Sequence, residues 1–566
     1  MIKQKLESDL KKAVLDLGFK VDDPDKIGDD IVCDIPQNSS FGDYTSNIAL
    51  QLSKLKSKDS KQNAVEIAKE IIEKLGKLDF LEKTEIAGPG FINFFIKGEI
   101  LVKNLEKVKD AEKISPQKIL VEYGHANILK EVHIGHLRTF ILGESLSRIF
   151  EFLGHEVFRA NYQGDIGLHV AKAVWGMKKL GLPSENLTSE EKAEYLGKAY
   201  ALGSSDYDSD PNFKQQIDHI NIELYQKDSD YWSLYKMGRQ WSIEYFEGVY
   251  KLLGIKYDRC YFESEVYERG KELVEANIGK IFEKSDGAVI FQAEKYGLHN
   301  RVFLNSAGNP TYEAKDMGLA EMEYKSFPYD KAIHVVGSEQ AGYFQVIIKA
   351  IELLFPELKG KKYHLSYGMV GIKGGKMSSR TGEVVTVDEL THLVMEKVRE
   401  VMKESRLEIN QDIAKQVSVG AIKFTYLKFA PTSNMVFDLD QSVSLQGDSG
   451  PYLQYTYARI KSLLKKADFK PSSLRLQGLA LEPEERNLLR RLEYFSQIVS
   501  LAGLEYRPNL ICEYLLDLAR EFNLFYQKHR VIESEKKEFR LALASIVGEI
   551  LKTGLNLLGI DAPESM

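Results

Sequence analysis

At 566 residues the chain exceeds what a single hydrophobic core organises, and its length suits roughly three or four units. Hydrophobic residues at 43% and charged residues at 28% are ordinary for a water-soluble globular protein, and a net charge of −7 excludes a bulk basic field for polyanions. Nucleic acid, if bound, must be met by local basic patches.

Cys33, Cys260 and Cys512 lie far apart and form no CxxC pair or Cys/His cluster, so a reducing compartment is expected and zinc is not. The opening MIKQKLESDLKKAVLDLGFK mixes lysines with acids and lacks an apolar stretch, so it is read as an amphipathic helix rather than a signal peptide. No apolar run approaches the roughly 18 residues that span a bilayer. A cytoplasmic protein without membrane contact is expected.

Residues 1–112 are expected to form a small α+β unit, with helical periodicity in 3–17 and 63–76 and turn-rich segments FGDYTSN (41–47) and AGPGFINFFI (87–96). A second unit, 113–384, opens with KILVEY, a β-branched run suited to a buried parallel strand. A polar stretch, GHANILKEVHIGH, leads into a helix carrying Leu142, Leu146, Ile149 and Leu153 on one stripe and stopping at Gly154. HEVFRANYQG then supplies another strand, which completes a doubly wound βαβ pattern. Residues 175–250 are read as a charged helical insertion containing an acidic loop, SSDYDSDPN (204–212). GAVIFQA (287–293) and KAIHVVG (331–337) are expected to complete the sheet. Residues 385–446 form a helical connector, and 447–566 an all-α domain with 470–486 as an inter-helix loop. The expected fold is multidomain α/β: a Rossmann-type core between an α+β leader and an all-α C-terminal domain.

Two stretches carry chemistry. His133-Ile-Gly-His136 sits where a strand-end loop enters a helix, a place rich in free N–H groups and suited to phosphate. Both histidines can donate hydrogen bonds to a phosphate gaining charge, and Gly135 would admit a flat group close to the backbone. Far downstream, GGKMSSRTG (374–382) is a basic, hydroxyl-rich loop hinged on Gly374 and Gly375. Either stretch alone is unspecific. In this order they resemble the paired HIGH and KMSKS signatures of class I aminoacyl-tRNA synthetases.

The chain resembles the arginyl-tRNA synthetase family along essentially its whole length. The residues that carry the likeness are FGDYTSNIAL and GPGFINF, VEYGHANILKEVHIGHLRT (121–139), NYQGDIG (161–167), DSGPYLQYTYARI (448–460) and the ending LLGIDAPESM. The resemblance implies activation of L-arginine by ATP, with release of pyrophosphate, and transfer to the 3′ end of tRNA(Arg). It implies ATP contacts from His133, Gly135, His136, Lys376, Met377 and Ser378, and catalytic roles for Lys130, His133, His136 and Lys376. Mg²⁺ is expected on the triphosphate rather than in a protein cage. Tyr312 and Asp316, four apart, match the family's guanidinium-holding pair, with Glu263 as a second carboxylate. A fork of five N–H donors needs such carboxylates, which lysine could not satisfy equally. Glu122, Asn127 and Gln340 match positions that hold the amino-acid backbone. Two departures stand out: Tyr343 occupies a place where the family often has histidine, and Ser379 replaces the second lysine of KMSKS. Many members lack that lysine and carry one before HIGH, here Lys130.

For tRNA, the basic groups Arg459, Lys461, Lys465 and Lys466, and Arg486, Arg490 and Arg491, are candidates, with Tyr452, Tyr455, Tyr457 and Tyr526 for base stacking. A monomer is expected from the family. A small nucleotidyltransferase also uses HxGH but needs neither the leader nor the helical C-terminal domain. A non-catalytic tRNA-binding relative would not need Lys130, His133, His136 and Lys376 together.

Overall fold

The structure, a computed structural model, describes residues 2–19, 32–34, 36, 39–55, 63–104, 115–184, 186–227, 230–373, 385–404, 410–470 and 480–566. The chain forms two compact units, one of 1–110 with 464–496 and 520–550, the other of 111–463 with 497–519 and 551–566. The C-terminal helical residues are thus divided between them.

The first unit contains a three-stranded antiparallel sheet, ordered Tyr44–Ser46, Phe91–Ile96, Leu81–Ala87. Its helices include Ile2–Asp16, which buries Leu6, Leu10 and Val14, and Ala64–Leu75, whose start is set by an Asn63/Glu66 capping box. Asp43, from the FGDYTSN turn, is buried and accepts a hydrogen bond from the Ile96 N–H (2.6 Å). Arg486 (3.0 Å) and Arg490 (3.1 Å) converge on the same carboxylate. These two arginines, candidates for tRNA on sequence, are ion-pair partners of buried Asp43, Arg490 buried and Arg486 half-buried.

The second unit is organised by a five-stranded parallel sheet ordered Lys362–Tyr367, Lys331–Gly337, Lys118–Glu122, Glu156–Gln163, Arg259–Phe262. The first of these five strands in chain order, Lys118–Glu122, is therefore the central one, with later strands added on either side. The resulting switch point between Lys118–Glu122 and Lys331–Gly337 is where open α/β sheets hold ligands, at the carboxyl ends of the strands. Register there sets Glu122 opposite His334.

KAIHVVG joins this sheet as expected, but GAVIFQA does not. Asp286 (φ 48°) and Gly287 (φ 80°) form a tight turn that folds Ala288–Phe291 back on Glu283–Ser285, and Arg301–Leu304 completes a separate antiparallel sheet. Two consecutive left-handed residues give the turn twist that hairpins favour. The helical insertion between Glu156–Gln163 and Arg259–Phe262 comprises Leu168–Leu180, Ser189–Ser209, Pro211–Gln226 and Asp230–Leu252. SSDYDSDPN is not a loop within it: helix runs to Ser209, and Asp210 caps the next helix ahead of Pro211. Asp206 accepts from Trp175 Nε1 and Lys179 Nζ, both at 2.7 Å, so tertiary partners stabilise what local polarity disfavours.

The helix Ile134–Phe152 is buried nearly all round, beyond the single stripe expected. Its Arg138, 2% exposed, donates to the carbonyls of Tyr426, Ala430, Pro431 and Ser433, so it gathers the end of helix Gln411–Leu427 and the turn after it. Carbonyls past a helix C-terminus lack intrahelical donors, and a guanidinium fork serves several together. No helix of the described residues is long and apolar enough to cross a membrane.

Candidate active site

The turn entering Ile134–Phe152 is fixed by its own histidines. His133 is the N-cap, and its Nδ1 accepts from the Gly135 N–H (3.1 Å) while His136 Nδ1 accepts from the His133 N–H (3.2 Å). The rings stack with centroids 3.8 Å apart. With both Nδ1 atoms accepting, each neutral ring carries its proton on Nε2, which makes two adjacent donors beside a helix N-terminus. Burial lowers the pKa of both, helped by the Lys130 charge at His133 and by His133, His125 and Lys130 at His136. The rings are therefore neutral donors at pH 7. Gly135 has an internal reason too, because a Cβ there would lie 2.9 Å from the His133 ring.

Just upstream, His125 (φ 57°) and Leu129 (φ 61°) are non-glycine residues in the left-handed region, a strained backbone characteristic of functional loops. Leu129 is held by its N–H to Ser242 Oγ (2.8 Å). Lys130 places its ammonium 4.0 Å over the Tyr200 ring. Lys376, Met377, Ser378 and Ser379 lie outside the described residues. The segment that follows is anchored at the histidine turn: Ile134 N–H donates to Val385 O (3.0 Å) and Val387 N–H to Val132 O (2.9 Å).

A cavity of about 550 Å³ opens at the switch point, and Glu122, Asn127, Glu263, Tyr312, Asp316 and Gln340 all line it. Helix Tyr312–Ser326 carries Tyr312 and Asp316 one turn apart, as their spacing predicts. Asp316 faces the cavity and accepts a hydrogen bond from Tyr343 Oη (2.7 Å). Burial raises its pKa to about 8 against that hydrogen bond, and the carboxyls of Glu122, Glu313 and Glu263 push the same way. Asp316 is thus a half-buried acid that no cation pairs with among the described residues, in a cavity whose lining includes the further acids Glu122, Glu263 and Glu313. Glu263 has one oxygen committed to the Lys315 ammonium at 2.7 Å. Asp165 in turn fixes the start of helix Glu263–Glu275, accepting from Ser264 N–H (2.8 Å) and Ser264 Oγ (2.7 Å) and pairing with Arg239 Nε (3.1 Å). Asn127 owes its place to Gly164, where a Cβ would come within 2.2 Å of Asn127 Oδ1.

Sequence reasoning missed His334, Lys362 and Lys315, which share or adjoin this cavity, and noted Tyr343 only as a departure. Lys315 had a signal, since it falls between Tyr312 and Asp316 on one helix. The other two depend on strand register.

Tyr452, Tyr455 and Arg459 share helix Gly450–Lys466, where Arg459 stacks over Tyr455 at 5.0 Å. Tyr526, 36% exposed, lies on helix Asn509–Lys528. Lys461 is paired with Glu564 (3.0 Å) and Arg491 with Glu521 (2.7 Å). Among the described residues one cluster has metal-ligand composition, Glu122 with Glu323 and His334, but the Lys362 ammonium sits 2.7 Å from Glu323. A built-in cation already fills that place.

Comparison with known proteins agrees with this geometry. Residues 98–439 match the family described as tRNA synthetases class I (R), catalytic domain, residues 453–566 the DALR anticodon binding domain, and residues 1–96 the arginyl tRNA synthetase N terminal domain. The chain is 32% identical over 546 residues to the arginine–tRNA ligase of Halothermothrix orenii, covering 94% of this chain and 95% of that protein. It is 31% identical over 570 residues to that of Porphyromonas gingivalis, covering 93% and 94%. Thermus thermophilus arginyl-tRNA synthetase has a similar structure, with a TM-score of 0.83 at 25% identity and 100% of both chains covered.

Proposed function

The chain belongs to the class I arginyl-tRNA synthetases, and from that premise we propose how its own residues divide the work of an arginine–tRNA ligase. The enzyme activates L-arginine with ATP and passes the arginyl group to the 3′ end of tRNA. Asp316 receives the guanidinium, because a half-buried acid with a raised pKa and no cation partner among the described residues is best relieved by a permanent planar one. That is the observation that carries the assignment. Tyr343 aims the Asp316 carboxylate, Tyr312 covers the side chain, and Glu263 adds negative potential from its Lys315-held position. Glu122 meets the α-ammonium group, while Asn127 and Gln340 hold the carboxylate end.

ATP lies across the start of helix Ile134–Phe152, where the Nε2–H groups of His133 and His136 face its phosphates. The arginine carboxylate attacks the α-phosphorus: a C–O–P bond forms, the bond to pyrophosphate breaks, and the neutral histidines stabilise the charge that builds on the phosphoryl oxygens. A terminal ribose hydroxyl of tRNA then attacks the arginyl carbonyl and releases AMP. Mg²⁺ enters with ATP, held by phosphate and water oxygens. Lys376, Met377 and Ser378 are assigned to ATP by their family match, and Lys130 supplies the cation that Ser379 does not. Tyr452, Tyr455, Arg459 and Tyr526 are assigned to tRNA, and the enzyme is read as a cytoplasmic monomer.

The test is ATP–pyrophosphate exchange with each of the twenty amino acids, with and without tRNA. Exchange is expected with arginine in the presence of its tRNA. Exchange with another amino acid, or none with arginine plus tRNA, refutes the assignment.

A further inference from the structure

Behind Glu122 runs a buried chain of polar groups that the scheme above leaves unused. Lys362 Nζ lies 2.7 Å from Glu323 Oε2 and 3.2 Å from His334 Nε2, and His334 Nδ1 lies 3.2 Å from Glu122 Oε1. Each of these four side chains is at most 5% exposed. Three neighbouring strands bring Glu122, His334 and Lys362 together, since Glu122 is in register with His334 and the adjoining strand begins at Lys362, while Glu323 comes from helix Tyr312–Ser326.

An ammonium can only donate, so the Lys362 contact makes His334 Nε2 an acceptor. The neutral ring must then carry its proton on Nδ1, which lies 3.2 Å from Glu122 Oε1. Burial, aided by the Lys362 charge, lowers the pKa of His334 to about 3, so the ring stays neutral at working pH. The chain therefore has one polarity, from ammonium through imidazole to carboxylate. Burial opposes the charge on Lys362, but Glu323 outweighs it and raises the pKa of the ammonium.

Packing alone does not account for this group, because apolar residues of the same volume would serve a core as well or better than buried ions. What distinguishes it is its position: Glu122, His334 and Lys362 all line the cavity that contains Asp316. We propose that Lys362 and His334 are positioning residues that fix the Glu122 carboxylate for the α-ammonium group of the amino-acid substrate. This rests on the reading of the cavity as the arginine site. Asp316 would recognise one end of the substrate, and this chain would set the geometry at the other.

The test separates the two ends by calorimetric titration of the full-length protein with L-arginine and with 5-guanidinopentanoate, which lacks only the amino group. Wild type should prefer L-arginine. His334→Leu should weaken L-arginine binding about tenfold, the scale of a hydrogen bond to a charged group, and change 5-guanidinopentanoate binding less than twofold. His334→Asn, which keeps an N–H near the former Nδ1, should restore most of the loss. Should His334→Leu fail to fold, Lys362→Met combined with Glu323→Gln removes donor and counter-charge together and should weaken L-arginine selectively. Equal weakening of both ligands, or unchanged L-arginine binding, overturns the proposal. A wild-type protein that binds both ligands equally would instead overturn the assignment of Glu122 to the ammonium group.

Discussion

The guanidinium site proposed at Asp316 has a testable electrostatic signature. Asp316 titrates at about 8 in the free protein because burial and the neighbouring acids Glu122, Glu313 and Glu263 disfavour its charge more than Tyr343 supports it. Bound guanidinium favours the charged carboxylate and must pull that pKa down. Arginine binding therefore expels a proton below pH 8, and by linkage affinity rises with pH until the free acid is itself ionised. A pKa near 8 means about ten protonated carboxyls for each carboxylate at pH 7, a penalty of about 1.4 kcal/mol. Apparent arginine affinity should improve about fivefold from pH 7 to 8, above which loss of the substrate's own α-ammonium proton offsets the remaining gain. Calorimetry at pH 7 in buffers of different ionisation enthalpy should report release of close to one proton per arginine. Asp316→Asn should flatten the pH profile and weaken arginine by about 3–5 kcal/mol, the loss from breaking a buried ion pair, while ATP binding changes little. Affinity independent of pH in wild type, or a proton release that survives Asp316→Asn, would refute the reasoning.

Lys130→Ala should cripple tRNA-dependent ATP–pyrophosphate exchange, and adding Ser379→Lys should restore part of it; exchange left intact by Lys130→Ala refutes the compensation. Tyr343→Phe removes the hydrogen bond that aims Asp316 and should raise the arginine KM about tenfold with the ATP KM unchanged. Arg138→Lys replaces a fork serving four carbonyls by a point donor and should lower unfolding stability by about 2–4 kcal/mol, read as a lower urea midpoint. Arg459→Ala should raise the tRNA KM several-fold with a shallower salt dependence, whereas Arg486→Ala should lower the melting temperature, because it strips a partner from buried Asp43.

Features closed within a few residues were legible in the sequence. The histidine turn is one, since its two Nδ1 caps involve only residues 133–136. The pairing of Tyr312 with Asp316 is another, because helical spacing alone puts them on one face. The strands KILVEY and KAIHVVG were legible as apolar runs suited to a sheet covered on both faces. GAVIFQA carried the same apolar signal, and its own Asp286-Gly287 turn diverted it to another sheet. Charge was the poorest guide: Arg486 and Arg490 look like surface cations in sequence, yet buried Asp43, more than 400 positions earlier, claims both. Only the tertiary structure decided the support behind Glu122. His334 and Lys362 are ordinary strand residues until parallel register places them next to a carboxylate contributed by a strand some 200 residues away. Chemistry held in one turn can be read from neighbours in sequence, whereas chemistry held between strands exists only once the sheet has formed.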